Sequence, residues 1–139
     1  MAFDVDRRRS GCPISCSLDL LGDRWSLLIV RDMVFVGKRY FKDFLSSDEA
    51  IASNILTDRL QRLEATGIIT RQSDPDSGRQ VIYSLTDKGV ALIPLLVELV
   101  CWGAIHDNAP YAEPDAVARI RKDKPRYIRK LTERCRRSP

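Results

Sequence analysis

The 37 residues from Ser53 to Gly89, SNILTDRLQRLEATGIITRQSDPDSGRQVIYSLTDKG, constrain the fold of this chain more than any other stretch. Leu56, Leu60 and Leu63 recur at i, i+4 and i+7, the spacing of one apolar stripe on an α-helix. Asn54, Asp58, Gln61 and Arg62 fall on the opposite face, with Thr57 and Arg59 on its flanks. Ser53 is placed to cap the helix N-terminus, and Gly67 to occupy the position just past its C-terminus. Residues 68–72 and 80–85 then run in strand fashion, joined by the turn-rich segment SDPDSGR. Thr86 and Asp87 start a further helix. A hairpin this short cannot bury a face by itself, so it must lie on the helices. The order predicts a winged helix-turn-helix: mainly α, with a small β-hairpin wing and one helix shaped for a DNA major groove.

The rest of the chain supplies the helices such a unit needs. Residues 1–11 read as a mobile arm. Pro13 at N1 and Gly22 at the exit bound a first helix over 13–21. Asp23 caps a second, RWSLLIVRDMVF, apolar nearly all round and therefore central, which Gly37 ends. A third, YFKDFLSS, turns Phe41, Phe44 and Leu45 inward and pairs with the Ser53 helix. After the wing, 90–105 forms a long apolar helix that Pro94 must kink or split. It carries more apolar surface than an outer helix buries alone, which predicts a seam between two copies. Beyond Asn108 the chain reads as one or two basic helical pieces. The domain division is thus an arm (1–11), a winged unit with dimerisation helices at 13–21 and 90–105 (12–107), and a basic extension (108–139).

Charge does not by itself point to DNA. Residues 1–107 hold 13 Lys/Arg against 15 Asp/Glu, a net of −2, while 108–139 hold 10 against 4, a net of +6. The pI near 9 belongs to the tail. No uninterrupted apolar run reaches a membrane span of about 18 residues, and the N-terminus lacks a signal-peptide core, so the expected compartment is the cytoplasm, with no membrane partner. Four cysteines, Cys12, Cys16, Cys101 and Cys135, form neither a disulfide framework nor a zinc-binding pattern. No P-loop, GxGxxG, GxSxG or HExxH is present, and no cofactor is expected. His106, the single imidazole, reads as a helix C-terminal residue rather than a catalyst. The chain is not expected to be an enzyme.

The chain resembles the HxlR-type transcriptional regulators. The matching residues are Cys12-Pro13, Leu21-Gly22-Asp23-Arg24-Trp25 and Arg39-Tyr40-Phe41. They continue through Leu56-Thr57-Asp58-Arg59-Leu60, Leu63-Glu64, Gly67-Ile68-Ile69 and Tyr83-Ser84-Leu85-Thr86 to Gly89 and Trp102-Gly103. The resemblance spans about 12–107. It implies a dimeric winged-helix protein that binds double-stranded DNA, with the first and post-wing helices building the dimer. Nothing in it extends to the tail.

Within that frame Ser53, Asn54, Thr57, Arg59 and Arg62 are candidate groove contacts. Asn pairs bidentately with adenine, Arg with guanine or phosphate, and a helix N-terminus near Ser53 favours a phosphate. Lys38, Arg39, Arg71 and Arg79 are candidate phosphate contacts, which position without specifying. Asp58, on the polar face of the Ser53 helix, is unfavourable near phosphates, and either pairs with Arg62 four residues on or accepts from a cytosine amine. Cys12 sits at the start of the first helix, where the dipole favours a thiolate. Some members of the resembled family sense oxidants or electrophiles through this cysteine, so a small-molecule or oxidant effector is one reading and a merely capping cysteine the other. Cys16 is expected to face the core and Cys135 to be an exposed thiol; Trp25 and Trp102 read as core or dimer anchors. Two function classes remain: a sequence-specific regulator bound to an inverted repeat as a homodimer, and a winged-helix protein–protein assembly module whose basic tail touches nucleic acid nonspecifically. The polar reach of Asn54, Thr57 and Arg59 favours the first.

Overall fold

The computed structural model describes residues 6–137. It divides into two compact units, one up to Gly89 and one from Val90 onward. This redraws the expected boundaries: the basic extension is not an appendage to a 12–107 domain but folds together with the long apolar helix.

In the first unit, α1 (Pro13–Leu21) starts with Pro13 in its first turn and ends where the Gly22 amide donates to the Leu18 carbonyl at 2.7 Å. Helix α2 (Arg24–Arg31) is capped by Asp23, whose carboxylate accepts from the Trp25 and Ser26 amides at 2.9 and 3.0 Å. It runs into a π-helical turn, Asp32–Val36, before Gly37. The segment is central as expected: Ile29, Val30, Met33 and Val34 are buried. Helix α3 (Phe41–Leu45) buries Phe44 edge-on to Tyr83, at a centroid separation of 6.3 Å. Leu45, expected to face inward, is exposed instead, because a helix of one and a half turns has a single inner face and Phe44 takes it.

Helix α4 (Ser53–Ala65) buries Leu56, Leu60 and Leu63, the stripe that the spacing predicts. Ser53 is not its cap. The cap position is Ala52, without a side-chain bond, and Ser53 is the first helical residue. The C-terminus closes as a Schellman turn: the Gly67 amide donates to Glu64 at 3.0 Å and the Ile68 amide to Leu63 at 2.9 Å. Gly67 has φ +77°, the left-handed conformation that favours glycine.

The wing is an antiparallel pair, β1 (Ile69–Ser73) and β2 (Val81–Leu85), in register from Ile69↔Leu85 to Ser73↔Val81. It is held to the helices through a backbone bond from the Tyr83 amide to the Arg39 carbonyl, 2.8 Å. The short α5 (Asp87–Val90) follows. At Gly89 a Cβ would stand 2.3 Å from the Ile68 carbonyl oxygen, so only glycine allows the chain to pass that close to the base of the wing.

In the second unit, Pro94 lies in the first turn of α6 (Ile93–His106), so it splits the long helix rather than kinking it. Helices α7 (Pro114–Lys122) and α8 (Lys124–Arg137) complete the unit around Leu96, Val97, Cys101, Val117 and Leu131. Lys124 bridges Glu98 at 2.7 Å. Cys135, expected to be exposed, is half-buried, and burial pushes its thiol up.

Candidate nucleic-acid interface

The outward face of α4 is set by which of its polar side chains are already engaged. Arg59 donates through Nε to Asp23 at 2.9 Å and also pairs with Asp58. Its side chain is only 20% exposed. Arg59, expected to be a groove contact, is therefore a clamp between α4 and the start of α2. Arg62 lies 3.0 Å from Asp58, the i,i+4 pair that the sequence suggests. The exposed residues of α4 are Ser53, Asn54, Thr57, Gln61, Glu64 and Ala65, so up to Gln61 its exposed face is uncharged and the single exposed charge, Glu64, stands in the last turn. Asn54 and Gln61 are seven residues apart and fall on one line of the helix surface. The Thr57 hydroxyl donates back to the Ser53 carbonyl at 2.9 Å, leaving its lone pairs outward. Gln61 was not among the expected site residues, although the helical wheel places it beside Asn54.

The positioning candidates divide in the same way. Lys38 is not a free phosphate contact. Its side chain is 16% exposed, its ammonium donates to Ser47 Oγ at 2.7 Å and lies 3.5 Å from Asp32. The buried Asp32 carboxylate gathers Lys38, the Ser47 hydroxyl and Arg31, whose guanidinium also forks onto Glu49 at 2.7 and 2.8 Å. Arg31 holds the Glu49 carboxyl down to about 2, against an opposing push from burial. This network was invisible in the sequence, because an acid inside an apolar helix announces burial only once its partners are known. Arg39 is half-buried and donates to Ser84 Oγ at 3.2 Å, so it ties β2 to the entry of α3. Arg71 and Arg79 stand exposed on the wing.

The wing turn has its own anchor. Asp74 is buried, accepts from the Asp76 amide at 2.9 Å, and receives the Tyr40 hydroxyl at 2.7 Å. Those two donors hold its carboxyl below the ordinary range. The Asp74–Tyr40 contact fixes the wing tip that carries Arg79 to the residue before α3.

Cys12 is exposed at the start of α1, and the amides of Ser15 and Ile14 hold its thiol below the ordinary value. Cys16 does not face the core: its thiol donates to the Ser10 carbonyl at 3.3 Å, and Arg8 approaches its sulfur at 3.9 Å. Residues 6–11 thus fold back along α1, with Arg9 donating to Asp19 at 3.3 Å, where a mobile arm was expected; residues 1–5 of that arm lie outside the described residues.

Two apolar patches are uncovered. Leu95, Leu99 and Trp102 form a stripe on α6, with Trp102 62% exposed and 5.7 Å from the His106 ring. Ile14 and Leu18 do the same on α1. Trp102 is therefore not a core residue of its own chain. By length and composition alone, Asp87–His106 is also apolar enough to cross a membrane, although only 33% of it is buried within the molecule. Among the described residues no cluster of His, Cys, Asp and Glu is arranged to hold a metal ion.

Comparison with known proteins gives a consistent result. A family model described as HxlR-like helix-turn-helix matches residues 20–110. The HTH-type transcriptional regulator YodB of Bacillus subtilis is 36% identical over 92 residues, 66% of this chain and 81% of its own. Its reduced form superimposes with a TM-score of 0.56 at 34% identity, covering 68% of this chain and 92% of that one; quinone-bound and diamide-treated forms of YodB are also solved. The redox regulator HypR in its reduced form gives a TM-score of 0.60 at 32% identity, covering 67% of this chain and 91% of that one.

Proposed function

The chain belongs to the HxlR-like helix-turn-helix family and is a DNA-binding transcriptional regulator, and from that premise we propose how it reads DNA and what it answers to. Asn54, Thr57 and Gln61 enter the major groove from α4, with Ser53 at the free helix N-terminus directed to a phosphate. Arg71 and Arg79 hold the flanking backbone from the wing. Arg59, Arg62, Lys38 and Arg39 keep the reading helix and wing in place. The observation that carries this reading is the sorting on α4. Its arginines are ion-paired, Arg59 to Asp23 and Arg62 to Asp58, whereas the amides of Asn54 and Gln61 and the hydroxyls of Ser53 and Thr57 are left exposed.

Two copies bind an inverted repeat, each presenting one α4. The uncovered apolar stripe on α6 and the separate patch on α1 each support a homodimer, since exposed apolar surface of this kind is what an obligate interface covers. A seam explains the stripe better than a membrane span does: Pro94 interrupts the segment, and Glu98 is ion-paired to Lys124 in its middle. The cytoplasm is the corresponding compartment. Cys12 is the effector site, an exposed thiol held toward its thiolate at a helix N-terminus. That YodB is solved with quinone bound and after diamide treatment supports an oxidant or electrophile as the effector class.

Selection of bound sequences from a random duplex pool tests the reading. An inverted repeat is expected to emerge. Asn54→Ala and Gln61→Ala should each cost about 1–3 kcal/mol against that sequence and relax the preference at one base pair. Unchanged affinity in both variants would remove α4 as the reader.

A further inference from the structure

Residues 1–89 carry 13 Lys/Arg and 13 Asp/Glu, so the unit with the reading helix and wing is neutral overall. Four of its cations, Arg31, Lys38, Arg59 and Arg62, are committed to internal acids. Duplex DNA presents one negative charge per about 1.7 Å of axis, and affinity rises with each phosphate neutralised. The net positive charge of this chain lies beyond residue 89, most of it on α8.

The sequence of α8 separates into two faces. Tyr127, Ile128, Leu131, Thr132 and Cys135 are buried or half-buried. Arg126, Arg129, Lys130, Arg134, Arg136 and Arg137 are exposed, and at 100° per residue they fall within about 160° of the helix circumference. Glu133 is the one acid among them and pairs with Arg137 at 3.4 Å. Fourteen residues of helix span about 21 Å, the axial length over which duplex DNA presents roughly a dozen phosphates. Arg119, Arg121 and Lys122 on α7 are exposed as well.

We propose that the outer face of α8, centred on Arg126, Arg129 and Lys130, is a second nucleic-acid contact that grips the phosphate backbone of duplex DNA without reading sequence. The proposal rests on the regulator reading above, and α8 lies beyond the residues 20–110 that the family model matches. Arginine predominates, and its planar fork suits phosphate oxygens. An anionic lipid surface is the weaker partner, because a membrane-binding helix must insert an exposed apolar face. Here the apolar side of α8 is turned into its own unit.

The test compares the full chain with R126Q/R129Q/K130Q and with the charge-keeping R126K/R129K/K130R. The probe is a random-sequence duplex of about 40 base pairs, titrated across a salt series. The neutral variant is expected to show a slope of log affinity against log salt shallower by up to about 2.7 per protomer, and affinity lower on the order of 100-fold at about 0.1 M salt. The charge-keeping variant should match the wild type. The preference for a selected sequence over random duplex should be unchanged in both. Unaltered slope and affinity in the neutral variant would overturn the proposal. So would DNA binding that persists while binding to vesicles containing anionic phosphatidylglycerol is lost. If the wild type selects no sequence at all, the regulator reading fails. A shallower slope in the neutral variant would still support the α8 contact.

Discussion

Asp23→Ala removes a residue with three duties, and its cost can be worked from the contacts. The first is the cap on α2, the Trp25 and Ser26 amides at 2.9 and 3.0 Å, whose loss costs about 1 kcal/mol. The second is the Ser26 hydroxyl, which donates to Asp23 at 2.6 Å from a buried position. An unsatisfied buried hydroxyl costs about 1–3 kcal/mol, toward the low end here because a helical serine can turn to a preceding carbonyl. The third is Arg59, 2.9 Å away on α4. With both side chains partly exposed and Asp58 still beside Arg59, that pair is worth about 0.5–1 kcal/mol. Together these give about 3 kcal/mol, or roughly 10 °C of melting temperature for a chain of this size. Asp23→Asn retains much of the cap and should lose about 1 kcal/mol. Urea titration is the assay, with a double-mutant cycle of Asp23→Asn against Arg59→Gln to isolate the pair. Because Arg59 sits on the reading helix, Arg59→Gln should also weaken binding to selected and random DNA by similar factors. A loss below about 0.5 kcal/mol for Asp23→Ala, or zero coupling in the cycle, would refute the clamp.

Other outcomes follow from the same contacts. Gly89→Ala should destabilise by about 1–3 kcal/mol, measured by thermal unfolding, since its Cβ would meet the Ile68 carbonyl and the Leu85 side chain. Glu49 and Asp23 both have folded-state carboxyls below their unfolded values, Glu49 at about 2. Their contribution is therefore complete above about pH 4.5 and is lost as pH falls toward 2, so acid unfolding of Glu49→Gln should be less steep than that of the wild type. Leu99→Glu on the α6 stripe should yield a monomer by light scattering under conditions where the unaltered chain gives twice its mass; a dimer in the variant would place the seam elsewhere. Cys12 should alkylate faster at neutral pH than a free thiol of pKa about 8.5, and Cys12→Ser should bind DNA while losing any response to diamide or quinone.

The elements were legible because their signals are short-range. The Leu56–Leu60–Leu63 stripe, Pro13 at a helix start, Gly67 past a helix end and the SDPDSGR turn each act over a few residues, and each appears where its local chemistry puts it. The family was legible for the same reason, since its motif residues lie at those caps and turns. The site was only half legible. Asn54 and Thr57 were found on the exposed face, but Arg59 and Lys38, chosen as cations near a groove, are held by Asp23 and Asp32. Asp74 looked like an ordinary turn residue until Tyr40 met it across 34 positions of chain. A side chain's charge is fixed by its identity, whereas its availability depends on which opposite charge the fold brings within about 3 Å. For Arg59 that partner lies 36 residues away, a separation over which sequence periodicity carries no information and only tertiary packing decides.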